Sequence, residues 1–235
     1  LTLLLFSLIT TICTIFDIYY PHNNLTISFL ITTLISAFIT ILGIPKLNKI
    51  KAQQIFRKEG PKKHFLKEGT PTMGGIFFIP VGIIVSNIIS SHKEDYEIIL
   101  SLSFLIICFM LIGLIDDFLS LKKQFNIGLS SKQKIILQII ISFIFIIICA
   151  ENDFISNHIQ ISNRIINIGN FVYPLGIFIL LAESNSTNLT DGLDGLLSGC
   201  SILVFTGLAV TLLIENPSNN QTLATVCIVM AGACM

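Results

Sequence analysis

Apolar residues in this chain are gathered into eight long blocks instead of the spaced stripes of a water-facing surface, and that arrangement fixes the solvent it can fold in. The blocks are residues 1–16, 25–44, 73–89, 98–115, 135–150, 171–182, 196–214 and 222–235. Hydrophobic residues make up 53% of the 235 residues and charged residues 12%, where a soluble domain carries roughly 25% charge. A helix crossing the hydrocarbon core needs about 20 residues. Blocks 25–44, 98–115 and 196–214 qualify directly, and others reach that length with their flanks. Because backbone groups cannot go unpaired in lipid, the blocks are expected to be helices. The expected fold is therefore all-α, a polytopic transmembrane bundle of about seven to eight spans, with residues 1–235 forming one integral membrane domain. Block 171–182 is short, with Pro174 and Gly176 near its start, which predicts a distorted or partly re-entrant span. Block 1–16 falls short of a full span.

Charge decides the orientation. Of 14 Lys and Arg residues, eight fall in loop 45–72 and four in loop 116–134; Lys93 and Arg164 are the others. Positive residues collect on the cytoplasmic side of short loops. Counting spans from the first loop puts the second on the same face, so the two agree. The same alternation places 183–195 on the cytoplasmic side and 90–97, 151–170 and 215–221 outside. The six cysteines lie in or beside apolar blocks without CxxC spacing, and read as small apolar packing residues. The first 20 residues have no basic leader and no small-residue cleavage site, so they do not read as a signal peptide.

Three polar segments map to that one face. Residues 64–75 (HFLKEGTPTMGG) lead from the basic loop into a span. Their glycines would let backbone approach a ligand, Pro71 stiffens the turn, and Lys67 with the helix-start N–H groups suits a phosphate. The plain alternative is a helix entry beside a solvated charge run. Asp116 and Asp117 follow apolar run 98–115 directly. Adjacent carboxylates at a span's end need an offsetting charge: a lysine, a divalent cation or a phosphate-bound metal. Alternatively they merely stop the helix at the interface. Residues 188–195 (NLTDGLDG) set Asn188, Asp191 and Asp194 three apart, so on a helical turn they share a face and could bind a sugar, a base or a metal. The alternative is a capped helix start, with Thr190 or Asp191 as N-cap. Together these residues suit chemistry between a cytosolic substrate and one held in the bilayer. The chain has no P-loop, GxGxxG or HExxH, so ATP-driven transport, dinucleotide chemistry and zinc proteolysis find no support.

HFLKEGTPTMGG (64–75), GLIDD (113–117) and NLTDGLDG (188–195), in this order and at these separations, resemble the phospho-N-acetylmuramoyl-pentapeptide-transferase family over residues 25–235. This belongs to the wider polyprenyl-phosphate N-acetylhexosamine-1-phosphate transferases. The resemblance implies a bacterial inner-membrane enzyme of peptidoglycan synthesis whose active site faces the cytoplasm. It implies transfer of phospho-MurNAc-pentapeptide from UDP-MurNAc-pentapeptide to undecaprenyl phosphate, release of UMP, and a need for Mg²⁺. By the same match, Asp116 would serve as base or lipid-phosphate partner, and Asp117 would position phosphates and metal, with Asp191 a second metal ligand. Lys67 would meet phosphate, Thr72 would contact substrate, and Asn188, Asp191 and Asp194 would line the nucleotide-sugar site. The bilayer is the expected partner, a homodimer is admitted, and no nucleic acid is expected.

There are departures. The family often has a lysine three residues after the second aspartate, where this chain has Ser120. It also continues with a further aspartate and a histidine cluster. The chain begins with Leu1, and block 222–235, 14 residues long, makes about 21 Å of helix against a core of ~30 Å. The expectation is a fragment of a longer enzyme, with its last carbonyls unpaired in lipid and no activity alone. Two competing classes are a sister enzyme using UDP-GlcNAc and a transporter; a transporter would keep its carboxylates within the spans.

Overall fold

Long apolar runs leave each backbone to satisfy itself, and in the computed structural model all eight become helices. Described are residues 2–20, 24–49, 73–93, 95–123, 128–161, 164–191, 195–217 and 219–235. The helices are α1 (Thr2–Tyr19), α2 (Leu25–Lys49), α3 (Gly75–Ser90), α4 (Tyr96–Lys123), α5 (Ser131–Glu151), α6 (Val172–Thr190), α7 (Leu196–Glu215) and α8 (Gln221–Cys234). Five of them, α1, α2, α4, α5 and α7, are long and apolar enough to cross a membrane, and α3 and α8 are shorter apolar helices. The chain is a multi-pass membrane bundle, with its apolar side chains turned outward: Phe38, Ile41, Ile84, Ile88, Phe143 and Ile214 are all exposed.

Three expectations need correction. Residues 1–16 were expected to fall short of a span, but α1 runs 18 residues, because Asp17 is turned to use. Its two carboxylate oxygens accept the N–H groups of Leu25 and Thr26, each at 2.8 Å, so one carboxylate caps the start of α2, where the helix dipole favours it. Nor is the 171–182 block distorted: from Val172 on it lies in one continuous helix, α6. Pro174 sits in the first turn of α6, where its missing N–H is harmless, and Gly176 lets Ile146 of α5 pack against the backbone. The all-α expectation holds, with one small antiparallel hairpin, β1 (His158–Ile161) with β2 (Arg164–Asn167), on the loop between α5 and α6. Last, the carbonyls at the end of α8 are not all left to lipid: the Ser36 hydroxyl of α2 donates to the Ala233 carbonyl at 2.7 Å.

The core surrounds α8, which packs against α2, α3 and α7. From Thr222 to Ala233 nearly every α8 side chain is buried. The residues are small: Ala224, Ala231, Gly232 and Ala233 present little bulk, and a Cβ at Gly232 would lie 2.9 Å from the Phe29 carbonyl oxygen. In lipid, where apolar surface gains little by association, such close backbone approach is what holds helices together. From α3 the chain continues as a row in which α4 packs on α3, α5 on α4 and α6 on α5, with α6 touching α7 only lightly. Antiparallel neighbours thus bring the start of α3, the end of α4, the start of α5 and the end of α6 to one face.

Candidate active site

Helix α4 is 28 residues long, about 42 Å at ~1.5 Å per residue, which exceeds the ~30 Å hydrocarbon core. Counted from Tyr96, the core is used up near Ile115. Asp116 and Asp117 therefore sit at the membrane edge, both half-buried. They do not end the helix, as the interface-stop reading expected: α4 continues to Lys123, because leucine and lysine past the pair favour helix and nothing there breaks it.

Adjacent residues on a helix point about 100° apart, and the two carboxylates meet different surroundings. Asp116 faces the return to α5. Its Oδ2 pairs with Lys134 Nζ at 2.9 Å, and its Oδ1 accepts the Leu129 N–H at 2.8 Å. Residues 128–130 tuck under α4, and a side chain at Gly128 would collide with the Asp116 carboxylate and Ser120. A capping box then starts α5: Ser130 Oγ accepts from the Gln133 N–H, and the Gln133 side chain accepts from the Ser130 N–H. This box puts Lys134 in the first turn, within reach of Asp116. Lys134 is thus the offsetting charge for Asp116. It takes up a charge where Ser120 offers none.

Asp117 faces inward. The Met73 backbone N–H donates to its carboxylate, and Asp116, Lys134 and Asp191 all lie near enough to act on it electrostatically. Met73 achieves this with a left-handed backbone, φ 69°, a conformation that costs a residue with a side chain about 1–2 kcal/mol. Gly74 is right-handed, φ −55°, and Met73 carries the unusual angle. The N-terminus of α3, with its positive dipole end, is aimed at Asp117.

Asp191 follows the last turn of α6, whose backbone N–H bonds to the Thr187 carbonyl, and is exposed; Asn188 lies one turn earlier, also exposed. The reading of this segment as a helix start with Thr190 or Asp191 as N-cap is corrected. Asp191 closes a helix, and α7 begins with Gly195 as N-cap at φ 76°. A carboxylate at a helix C-terminus opposes the dipole, and this one also faces Asp117. Two carboxylates and a negative helix end oppose one another here, while Lys134 is already paired with Asp116. That arrangement accommodates a divalent cation, since Mg²⁺ needs only one or two carboxylates with substrate phosphates. Among the described residues no group of three His, Cys, Asp or Glu gathers.

Of the expected site residues, Asp116 and Asp191 both act electrostatically on Asp117, and Asn188 lies one turn before Asp191 on α6. Lys67, Thr72 and Asp194 lie outside the described residues. The sequence reading missed Lys134, Leu129 and Met73. The Ser130–Gln133 capping box could have signalled Lys134; no residue type signals the Met73 angle.

A family model described as glycosyl transferase family 4 matches residues 99–235, and the phospho-N-acetylmuramoyl-pentapeptide-transferase signature 1 matches residues 67–79. Among relatives, the chain is 70% identical over 233 residues to a phospho-N-acetylmuramoyl-pentapeptide-transferase of Prochlorococcus marinus (strain NATL2A), covering 99% of this chain and 63% of that protein. A protein of the same name from a second strain of Prochlorococcus marinus is 46% identical, again over 99% and 63% of the two chains. One from Synechococcus sp. (strain CC9311) is 43% identical over 92% and 59%. The chain therefore spans about three-fifths of the length of these curated relatives.

Proposed function

Because this chain belongs to glycosyl transferase family 4, we propose that the full-length protein moves phospho-MurNAc-pentapeptide from UDP-MurNAc-pentapeptide to undecaprenyl phosphate, giving lipid I and UMP. The observation that carries this reading is the meeting of three separate segments at Asp117: the entry turn of α3 through Met73, the edge of α4, and the end of α6 through Asp191. The signature match begins at Lys67 and runs into that same entry turn.

In the reaction, an oxygen of the acceptor phosphate takes the place of the UMP oxygen on the sugar-bound phosphorus, so one P–O bond forms, one breaks, and UMP leaves. Both reactants are anionic and repel. Asp117 and Asp191 would hold Mg²⁺, which would supply positive charge to offset that repulsion. Asp116 is the base or the partner of the lipid phosphate, kept in one orientation by Lys134 and the Leu129 N–H. The N–H groups at the start of α3 would meet the donor's phosphates, where a helix start favours negative charge, and Lys67 is assigned the same role. Thr72, Asn188 and Asp194 line the donor site. The membrane-edge position of Asp116 and Asp117 suits an acceptor whose phosphate sits at the headgroup level and whose tail stays in lipid.

Two measurements test this reading. Purified full-length protein given undecaprenyl phosphate should form lipid-linked product from UDP-MurNAc-pentapeptide and none from UDP-GlcNAc; product from UDP-GlcNAc alone would replace the donor assignment. In this reading the face lies in the cytoplasm, at a bacterial inner membrane, and the basic loops support the cytoplasmic side. A cysteine at Lys122 should then be labelled only from the cytoplasmic side and one at Asp153 only from outside. Labelling of both from the same side would end the single-face arrangement.

A further inference from the structure

Gln138 is 1% exposed, an amide enclosed between α5 and α6. Packing alone would be served by leucine, and an amide without partners is strongly disfavoured in such surroundings. Gln138 has partners on both its polar atoms. Its Nε2 donates to Ser184 Oγ at 2.9 Å, and its Oε1 accepts from Asn185 Nδ2 at 3.0 Å. Asn185 also donates to the Leu181 carbonyl at 2.8 Å, which fixes its own side chain. Ser184 and Asn185 are consecutive, so they project about 100° apart around α6. A grip on both defines the rotation and height of that helix, where a single bond would define proximity alone.

What lies one turn away gives this grip a use. Residues four apart share a helix face. One turn toward the site from Gln138 stands Lys134, which holds Asp116. One turn from Ser184 in the same direction stands Asn188, and Asp191 continues that row. Helix α6 has α5 as its main neighbour and leans only lightly on α7, so α5 sets where α6 ends.

We propose that Gln138 is a positioning residue: by holding Ser184 and Asn185 together it sets the rotation and height of the α6 terminus, and so the separation of Asp191 from Asp117. Its kinetic consequence rests on the transfer reaction proposed above; its geometric consequence does not. Gln138 touches neither substrate nor reacting atoms in this scheme, and acts through α6.

The test uses full-length protein carrying Gln138→Met, which keeps length and removes both hydrogen bonds. Nitroxide labels on cysteines placed at Lys122 and Ser186, with the native cysteines replaced, report the distance between the ends of α4 and α6. The expected result is a shifted or broadened distance distribution and a turnover lower by roughly 10- to 100-fold, the scale of a misplacement near 1 Å. The KM for UDP-MurNAc-pentapeptide should change by less than about 3-fold, because the interaction lost is one that matters in the transition state. Ser184→Ala, which loses one of the two bonds and remains well folded, should lower turnover in the same sense, and Ser184→Thr, which keeps the hydroxyl, should restore it. A distance distribution in Gln138→Met identical to that of the wild type overturns the proposal, as does unchanged turnover. If the wild-type protein transfers no sugar phosphate, the proposed reaction fails, while the distance measurement still decides the role of Gln138.

Discussion

Asp117→Asn in the full-length protein is expected to lower lipid-linked product formation by about 100- to 1,000-fold, the scale for losing one preorganised electrostatic group in an active site. Asparagine is nearly isosteric and can still accept the Met73 N–H, so the turn at the start of α3 should hold and the melting temperature should stay close to that of the wild type. What disappears is the negative charge facing Asp191, and with it the pair of carboxylates able to hold a cation. Asp116→Asn should reduce turnover by at least ~100-fold, as for loss of a general base, but with a different companion effect. It leaves Lys134, which is 18% exposed, without its anion, so thermal stability should fall too. Turnover and melting temperature measured on both variants separate the two roles. Near-normal turnover in Asp117→Asn would remove Asp117 from the chemistry and leave it as an accessory to the α3 turn.

Chelation is expected to have the larger effect still. With the divalent cation stripped from full-length protein, transfer should stop, and Mg²⁺ or Mn²⁺ should restore it, since both accept the oxygen donors offered by carboxylate and phosphate. The argument is electrostatic. Asp117 and Asp191 oppose each other, α6 directs its negative end at the same place, and both substrates bring phosphate. Turnover unaffected by the chelator would mean that Lys67 and the α3 N-terminus alone offset this charge. Binding of UDP-MurNAc-pentapeptide, followed without turnover, gives a second readout: it should weaken on chelation if the cation bridges the donor's phosphates.

Much of the bundle was legible in the sequence because a bilayer punishes every alternative. Blocks 25–44, 98–115 and 196–214 had to be helices, and charge together with the alternation of spans brought the ends of α4 and α6 to one face. What escaped was decided by contacts between elements. Whether Asp116 and Asp117 stop α4 or lie inside it depends on the residues after them, and on a loop that folds back instead of projecting. The Asn188–Asp191 row was legible as a row. That it closes α6, and does not open α7, follows from where the chain turns at Gly195, against the usual preference of aspartate for helix starts and glycine for helix ends. Lys134 was counted among the cytoplasmic charges without being seen as the partner of Asp116, since 18 residues of sequence separate them. The hairpin of β1 and β2 carries too few alternating residues to stand out from a loop.

The central place of α8 has a consequence for how the protein is made. The helix that fills the middle is the last of the eight to be synthesised, some 190 residues after α2, or roughly 10–40 s at ~5–20 residues per second. During that interval α2 has entered the membrane while the groove meant for α8 holds lipid. Ser28, Thr32 and Ser36 are buried on α2, and Thr33 Oγ1, beside Gly232 of α8, has no hydrogen-bond partner among the described residues. Ser28 and Thr32 bond back to the carbonyls of Asn24 and Ser28, needing no partner helix. Ser36 gives its proton to α8, yet the carbonyl of Thr32, four residues back, stands where such a hydroxyl can rest until then. For Ser28, Thr32 and Ser36 assembly can therefore wait: each has an acceptor within its own helix, and arrival of α8 exchanges one hydrogen bond of Ser36 for another.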